Sequence, residues 1–257
     1  MNEELKVHMI EALKQDIRFD GRKAEEFRDI ELETGVTNTA EGSAKVKIGE
    51  TEVFAGVKME LGTPYPDKPD EGTIMVGAEL IPLSNPEFEA GPPTIQGVEL
   101  ARVVDRGIRE GQALNFKELC IKPGEKCWIV SIDIVSLNDA GNLIDASALA
   151  SLAAIMDTKL PEIKDGAVDY KHKTEKGLNL TKFPIAVTVI KIGDSFLIDP
   201  TSEEEKAIDA RLTVTTTEDG KICSLQKGGS APLSLDQIDR MIGIAIKNVA
   251  QLRKVLK

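Results

Sequence analysis

Histidine is nearly absent: His8 and His172 are the only two in 257 residues. That removes histidine-centred metal sites and any histidine acid–base dyad from the first rank of readings. Cysteine is scarce too. Cys120, Cys127 and Cys223 cannot all pair within one chain, and their spacing fits no zinc pattern, so we expect small buried hydrophobes in a reducing compartment. Aromatic residues are 4% of the chain, with one Trp, two Tyr and seven Phe, too few for extensive base stacking. No run nears the roughly 18 apolar residues that span a bilayer. The acidic, amphipathic N-terminus is unlike a secretory leader or an Arg-rich transit peptide, so the expectation is a cytoplasmic protein with no membrane partner. Positive charge is also in deficit: 32 Lys and Arg face 43 Asp and Glu, a net charge of −11. This argues against a nucleic-acid binder that uses its whole surface, and confines such contact to a patch or to a more basic partner. One such patch is the C-terminal run of Arg240, Lys247, Arg253, Lys254 and Lys257, with no acidic residue among them.

What remains is an ordinary globular composition, 41% hydrophobic and 29% charged, long enough for one large domain or two small ones. Asn2 is a candidate N-cap for a first helix whose stripe is Leu5, Met9, Leu13 and Ile17. Residues 30–61 alternate with period two, and Gly49-Glu50 marks a hairpin turn. Residues 61–72, rich in proline and acid, form a surface loop. A helix starting near Thr94 follows Pro92-Pro93. Pro123-Gly124 is a turn, and residues 127–137 are apolar enough for a central strand. The Ala-rich run after it predicts a closely packed helix, capped at Asp145 or Ser147 and stopped by Pro161. Residues 161–182 are polar and lack periodicity, which places a domain boundary there. We therefore expect a lead-in over 1–28, a first domain over 29–165 and a second over 183–257. The second repeats the plan of the first with two strand pairs. It ends in a helix capped by Ser234 whose core side is Ile238, Ile242, Ala245, Ile246 and Val249.

The chemistry-bearing stretch is 97–110, GVELARVVDRGIRE. On a helix it sets Arg102, Arg106 and Arg109 on one face, at i, i+4 and i+7, where they repel one another unless an anion or a partner's carboxylates cover the row. Guanidinium stays charged and donates in a planar fork, which suits phosphate. The competing reading is a solvated face on which Glu99, Asp105 and Glu110 serve as intrahelical partners.

These segments, in order, are specific together: Asp20-Gly21-Arg22, EGSAKVKIGETEV, ELARVVDRGIR, SIDIVSLNDAGNLIDAS and LIDPTSEEEKAIDARLTV. Over nearly the whole chain the sequence resembles the RNase PH family of phosphate-dependent exoribonucleases, and within it the non-catalytic RNase PH-like subunits of archaeal exosomes. The resemblance implies an α+β fold of two RNase PH-like halves of βαβ type, with mixed sheets packed on helices. It further implies a hexameric ring around a channel for single-stranded RNA, built as alternating heterodimers with a catalytic RNase PH-like paralogue and topped by RNA-binding cap subunits. Carried over by position, Arg102, Arg106 and Arg109 would hold RNA phosphates.

Two departures bear on catalysis. Active members place an arginine in the loop after the central strand, where it helps seat the attacking phosphate. Here that loop reads Asp139-Ala140-Gly141-Asn142-Leu143, and Leu143 takes the arginine's place. Active members also carry two aspartates six residues apart; with Asp209 as the later one, Glu203 stands at the earlier, inside a Glu203-Glu204-Glu205 run. The implied chain has no catalytic residue, metal or cofactor of its own, and serves the neighbour's active site. Two alternatives stay open: an active exoribonuclease that tolerates Glu203, and a pure scaffold whose arginines bridge to a partner's carboxylates.

Overall fold

The computed structural model describes residues 3–164 and 166–256; Asn2 and Lys257 lie outside them. After helix α1 (Glu3–Leu13), five strands build the first sheet: β1 (Ile30–Thr34), β2 (Gly42–Ile48), β3 (Thr51–Gly62), β4 (Thr73–Leu80) and β6 (Lys126–Asn138), in the order β1-β2-β3-β6-β4. A short strand β5 (Cys120–Lys122) also pairs with β6. The sheet is mixed, because β4 runs parallel to β6 through the crossover helix α2 (Ile95–Glu110), while β3 pairs with β6 antiparallel. Thus β6 lies between two partners, and its apolar alternation buries Val130, Ile132 and Ile134. The hairpin expected at Gly49-Glu50 joins β2 to β3.

The second sheet is wholly antiparallel, in the order β10-β9-β11-β12, from β9 (Ile185–Ile192), β10 (Ser195–Ile198), β11 (Ala210–Thr216) and β12 (Ile222–Gly228). Helix α3 (Leu143–Asp157) lies between the sheets and packs on β2, β3 and β9. Burial on all sides explains its Ala and Ser content: only small side chains let two sheets approach one helix. One hydrophobic core runs through it, from Val46 and Ile132 across Leu149 to Val189 and Leu212. On the far side of the second sheet, Met9 and Leu13 of α1 meet Ile190, Ile192 and Leu197. Helices α4 (Ser202–Ala207) and α5 (Leu235–Val255) complete the fold, α5 starting at a Ser234 capping box as expected.

Several expectations are corrected. Helix α3 is not capped by Asp145 or Ser147: it starts at Leu143 behind Asn142, whose left-handed backbone (φ 61°) turns the chain into it. Nor does Pro161 stop it. Thr158 turns extended, and Pro161 lies inside a strand, β7 (Lys159–Lys164), which among the described residues pairs with β8 (Ala167–Gly177) alone and so tolerates a missing N–H. The polar stretch over 161–182 is therefore largely a hairpin; both faces of β8 meet solvent, which erases the alternation. Leu5, Ile17 and Ile246 are exposed and leave their stripes, the core side of α5 being Met241, Ile244, Ala245 and Leu252. Of the cysteines, all free, only Cys127 is fully buried. Among the described residues no helix is long and apolar enough to cross a membrane.

Candidate nucleic-acid interface

Helix α2 is nucleated by Thr94, whose hydroxyl accepts from Gly97 N at 3.2 Å, and is held by the buried face of Leu100, Ala101, Val104 and Ile108. That burial fixes which residues point outward. Arg102 and Arg106 are exposed, and among the described residues neither has a hydrogen bond or ion pair. Arg109 differs: it donates to Asp105 Oδ1 at 2.9 Å and to the Ile74 carbonyl at 3.0 Å, tying α2 to β4. The three line one shallow depression of about 250 Å³ together with Val76, Ala101 and Glu110. Glu99 is not an intrahelical partner but accepts from Arg211 Nη2 on β11 at 2.6 Å.

The loop over 139–143 is built as a rigid turn. Gly141 (φ 92°) is required there, since a Cβ would stand 2.4 Å from the Pro200 carbonyl. Arg28 holds the turn from below, donating to the carbonyls of Ala140 at 2.9 Å and Gly141 at 3.1 Å, and Thr51 Oγ1 donates to Gly141 at 2.6 Å. Arg28 is itself fixed by Asp199, a fully buried carboxylate that also accepts from Arg22 and from Asn142 Nδ2. Burial alone would raise the Asp199 pKa; its bonds to Arg28 outweigh that and hold it below the usual range.

At the mouth of α3 the donor at Asn142 N meets a carboxylate of the same chain, Glu205 Oε1, at 2.9 Å. Burial and the nearby Asp139 push Glu205 up to about 7, against the pull of that N–H and of Arg211 and Arg28. Leu143 lines the adjoining cavity of about 340 Å³ with Asp139, Glu205 and Arg211. At this mouth, beside the cations Arg211 and Lys206 of the cavity wall, the turn itself presents a hydrocarbon side chain at 143 and an internal acid on Asn142 N, neither of which suits a phosphate.

The acidic pair is not assembled. Asp209 turns to Lys6 Nζ at 2.6 Å and to Gly193 N at 2.7 Å; Glu203 is exposed on α4; Glu204 is buried against Arg18. Three neighbouring glutamates face three ways, because a short helix fans successive side chains about 100° apart. These residues do not fit a shared divalent cation, and among the described residues no group of three His, Cys, Asp or Glu does. Sequence reading missed Glu205 at the helix mouth and the Arg211–Glu99 pair; the signal available for the buried hub was Arg18, Arg22 and Arg28 crowded into a short lead-in of an acidic chain.

Two sheets around a shared helix, a crossover helix with two unpaired arginines, and a tight turn at the mouth of the shared helix together define an RNase PH-type chain. The chain belongs to the 3′ exoribonuclease family, whose domain 1 model matches residues 26–161 and whose domain 2 model matches residues 182–248. It is 44% identical over 251 residues to the exosome complex component Rrp42 of Methanopyrus kandleri, covering 97% of this chain and 94% of the relative. To Rrp42 of Thermococcus kodakarensis it is 44% identical over 255 residues, covering 97% and 93%. A chain of the Archaeoglobus fulgidus exosome with RNA bound to the active site superposes with a TM-score of 0.92 at 44% identity, covering 99% of this chain and 98% of that one.

Proposed function

We propose that this chain is a non-catalytic subunit of an exosome complex that degrades RNA from its 3′ end by phosphorolysis. It pairs with a catalytic RNase PH-like paralogue in alternating heterodimers of a hexameric ring, shapes the neighbour's active site and guides the strand, with RNA-binding cap subunits above. Residues 29–165 and 183–257 serve as its two RNase PH-like domains after a lead-in over 1–28. The relatives named Rrp42 and the likeness to a chain of an RNA-bound exosome support this reading. The observation that carries it is the contrast between two surfaces: on α2 the guanidiniums of Arg102 and Arg106 are exposed and, among the described residues, unpartnered, while the mouth of α3 holds Leu143 and, from α4, Glu205 bonded to Asn142 N.

Arg102 and Arg106 are assigned to RNA phosphates; Arg109, the third residue of the row, contributes field from the edge while anchoring the helix. Recognition is blind to sequence, because phosphate contacts carry no base information. The test has two arms. Incubated alone with single-stranded RNA and orthophosphate, the chain releases no nucleoside diphosphate; mixed with the paralogue it elutes as one larger species and shortening begins. Release by the chain alone, or two species that never co-elute, overturns the proposal.

A further inference from the structure

Arg102 has a carboxylate three residues to either side, Glu99 before it and Asp105 after it. At that spacing opposite charges meet on a helix surface and pair. Neither does so here. Glu99 is drawn across to β11 by Arg211, at 2.6 Å. Asp105 accepts from Arg109 Nε at 3.2 Å and Nη2 at 2.9 Å. One turn on, Glu110 lies at i+4 from Arg106 and makes no ion pair with it among the described residues.

The Arg211 contact is held against resistance. Its Nε is buried with no partner among the described residues, an arrangement that costs free energy wherever it occurs. The guanidinium also lies so close along β12 that a Cβ on residue 228 would stand 2.7 Å from Nε and Nη2; Gly228 makes the room. A bond from Glu99 to Arg102 on its own helix would need neither concession.

We infer that Arg211 is a positioning residue for anion binding: by holding Glu99 on the second sheet it keeps Arg102 unpaired and open to a phosphate of the RNA strand, as Arg109 does by holding Asp105. This rests on the assignment of Arg102 and Arg106 to RNA. A guanidinium already paired with carboxylate releases no counterion from RNA, so the loss of Arg211 subtracts one phosphate contact made by a different residue.

The test uses the chain assembled with its catalytic paralogue and the anisotropy of a labelled oligouridylate across a salt series. Arg211→Met is expected to bind about fivefold more weakly at about 0.1 M salt, with a salt slope shallower by about 0.7. Adding Glu99→Gln to that variant restores affinity and slope, because the released side chain no longer carries charge. Lys206→Met removes an equal charge from the nearby pair with Glu87 and controls for net charge, with an effect under about half that of Arg211→Met. Gly228→Ala, which crowds the guanidinium without deleting it, weakens binding in the same direction and stands in if Arg211→Met unfolds. Wild-type affinity in both Arg211→Met and Gly228→Ala, no rescue by Glu99→Gln, or an equal loss in Lys206→Met overturns the inference. If Arg102→Ala with Arg106→Ala leaves affinity intact, the RNA assignment falls and this inference with it; if that pair weakens binding and Arg211→Met does not, only the inference falls.

Discussion

Replacing Arg102 and Arg106 together by alanine tests the interface most directly, because neither side chain does anything else in the fold. Both are exposed and without partners among the described residues, so their loss removes no packing or hydrogen bond. Relief of the i,i+4 repulsion stabilises the helix by a few tenths of a kcal/mol, about 0.2–0.5. Thermal unfolding is thus unchanged or slightly later. The binding cost follows from counterion release. Each phosphate neutralised on a single strand contributes about 0.7 to the slope of log K against log salt, so two contribute about 1.4. Relative to 1 M salt, that amounts at about 0.1 M to roughly 1.4 decades, a loss near 25-fold or about 2 kcal/mol. At about 0.5 M the same term shrinks to roughly 0.4 decade, near threefold. Anisotropy titrations of the assembled complex at both salts read the ratio. A deficit of equal size at the two salts would mean the arginines act through something other than phosphate, and no deficit would remove them from the RNA path.

Three further outcomes are expected. Asp145, fully buried and pushed up to about 7 by burial against the opposing bonds from Thr188, and Glu205, likewise near 7, hold protons that the unfolded chain gives up near pH 4. Their contribution is full below that pH and is lost as pH rises through about 7, at roughly 1.4 kcal/mol per unit for each group. Asp199 and Asp209, both held below the usual range, are already ionised over that span, so denaturant unfolding at pH 5, 6, 7 and 8 should show stability falling and then levelling; a rise across pH 5 to 7 would contradict this. Arg28→Met strips two side-chain donors from the fully buried Asp199 and two from the carbonyls of Ala140 and Gly141, leaving Arg22 as the remaining guanidinium on that carboxylate. A loss of about 3–5 kcal/mol is expected in the unfolding free energy, and a loss under about 1 would show the hub to be redundant. Leu143→Arg supplies a cation but leaves the Asn142 N–H on Glu205, so this variant alone should still release no nucleoside diphosphate from RNA with orthophosphate; measurable release would show that Leu143 by itself silences the site.

Periodicity made the strands and the outer helices legible. Alternation located β2, β3 and β6; the Thr94 start followed from the prolines before it, and the Ser234 start from capping chemistry. It failed where a segment has no apolar face to report. Strand β8 is wet on both sides, and α3 is dry on all sides, so neither shows the contrast on which period is read. The start of α3 was missed for another reason: Asn142 caps by its backbone, in a left-handed turn, and makes no side-chain cap bond. At the site, the arginine row and Leu143 were visible because each is a local fact. The fates of Glu99, Glu205 and Asp209 were not. Each depends on a residue at least 60 positions away, in another element, and a carboxylate's spacing along the chain says nothing of which donor it will meet.

The two silenced features at the helix mouth are one feature physically. The first turn of a helix carries N–H groups with no partner in the helix, and a favourable field for anions. A chain that seats phosphate there can leave those donors to the ligand. A chain with Leu143 at the seat cannot, since an unsatisfied donor beside a hydrocarbon costs about 1–3 kcal/mol. Glu205 removes that cost by capping Asn142 N from inside, and its own raised pKa keeps it partly protonated near pH 7, which limits the charge stored beside Asp139. With Asn142 N capped by Glu205, the Nη2 of Arg211, which lines the same cavity, bonds Glu99 on α2. The cavity at the helix mouth and the outer face of α2 thus meet in a single side chain, Arg211 on β11.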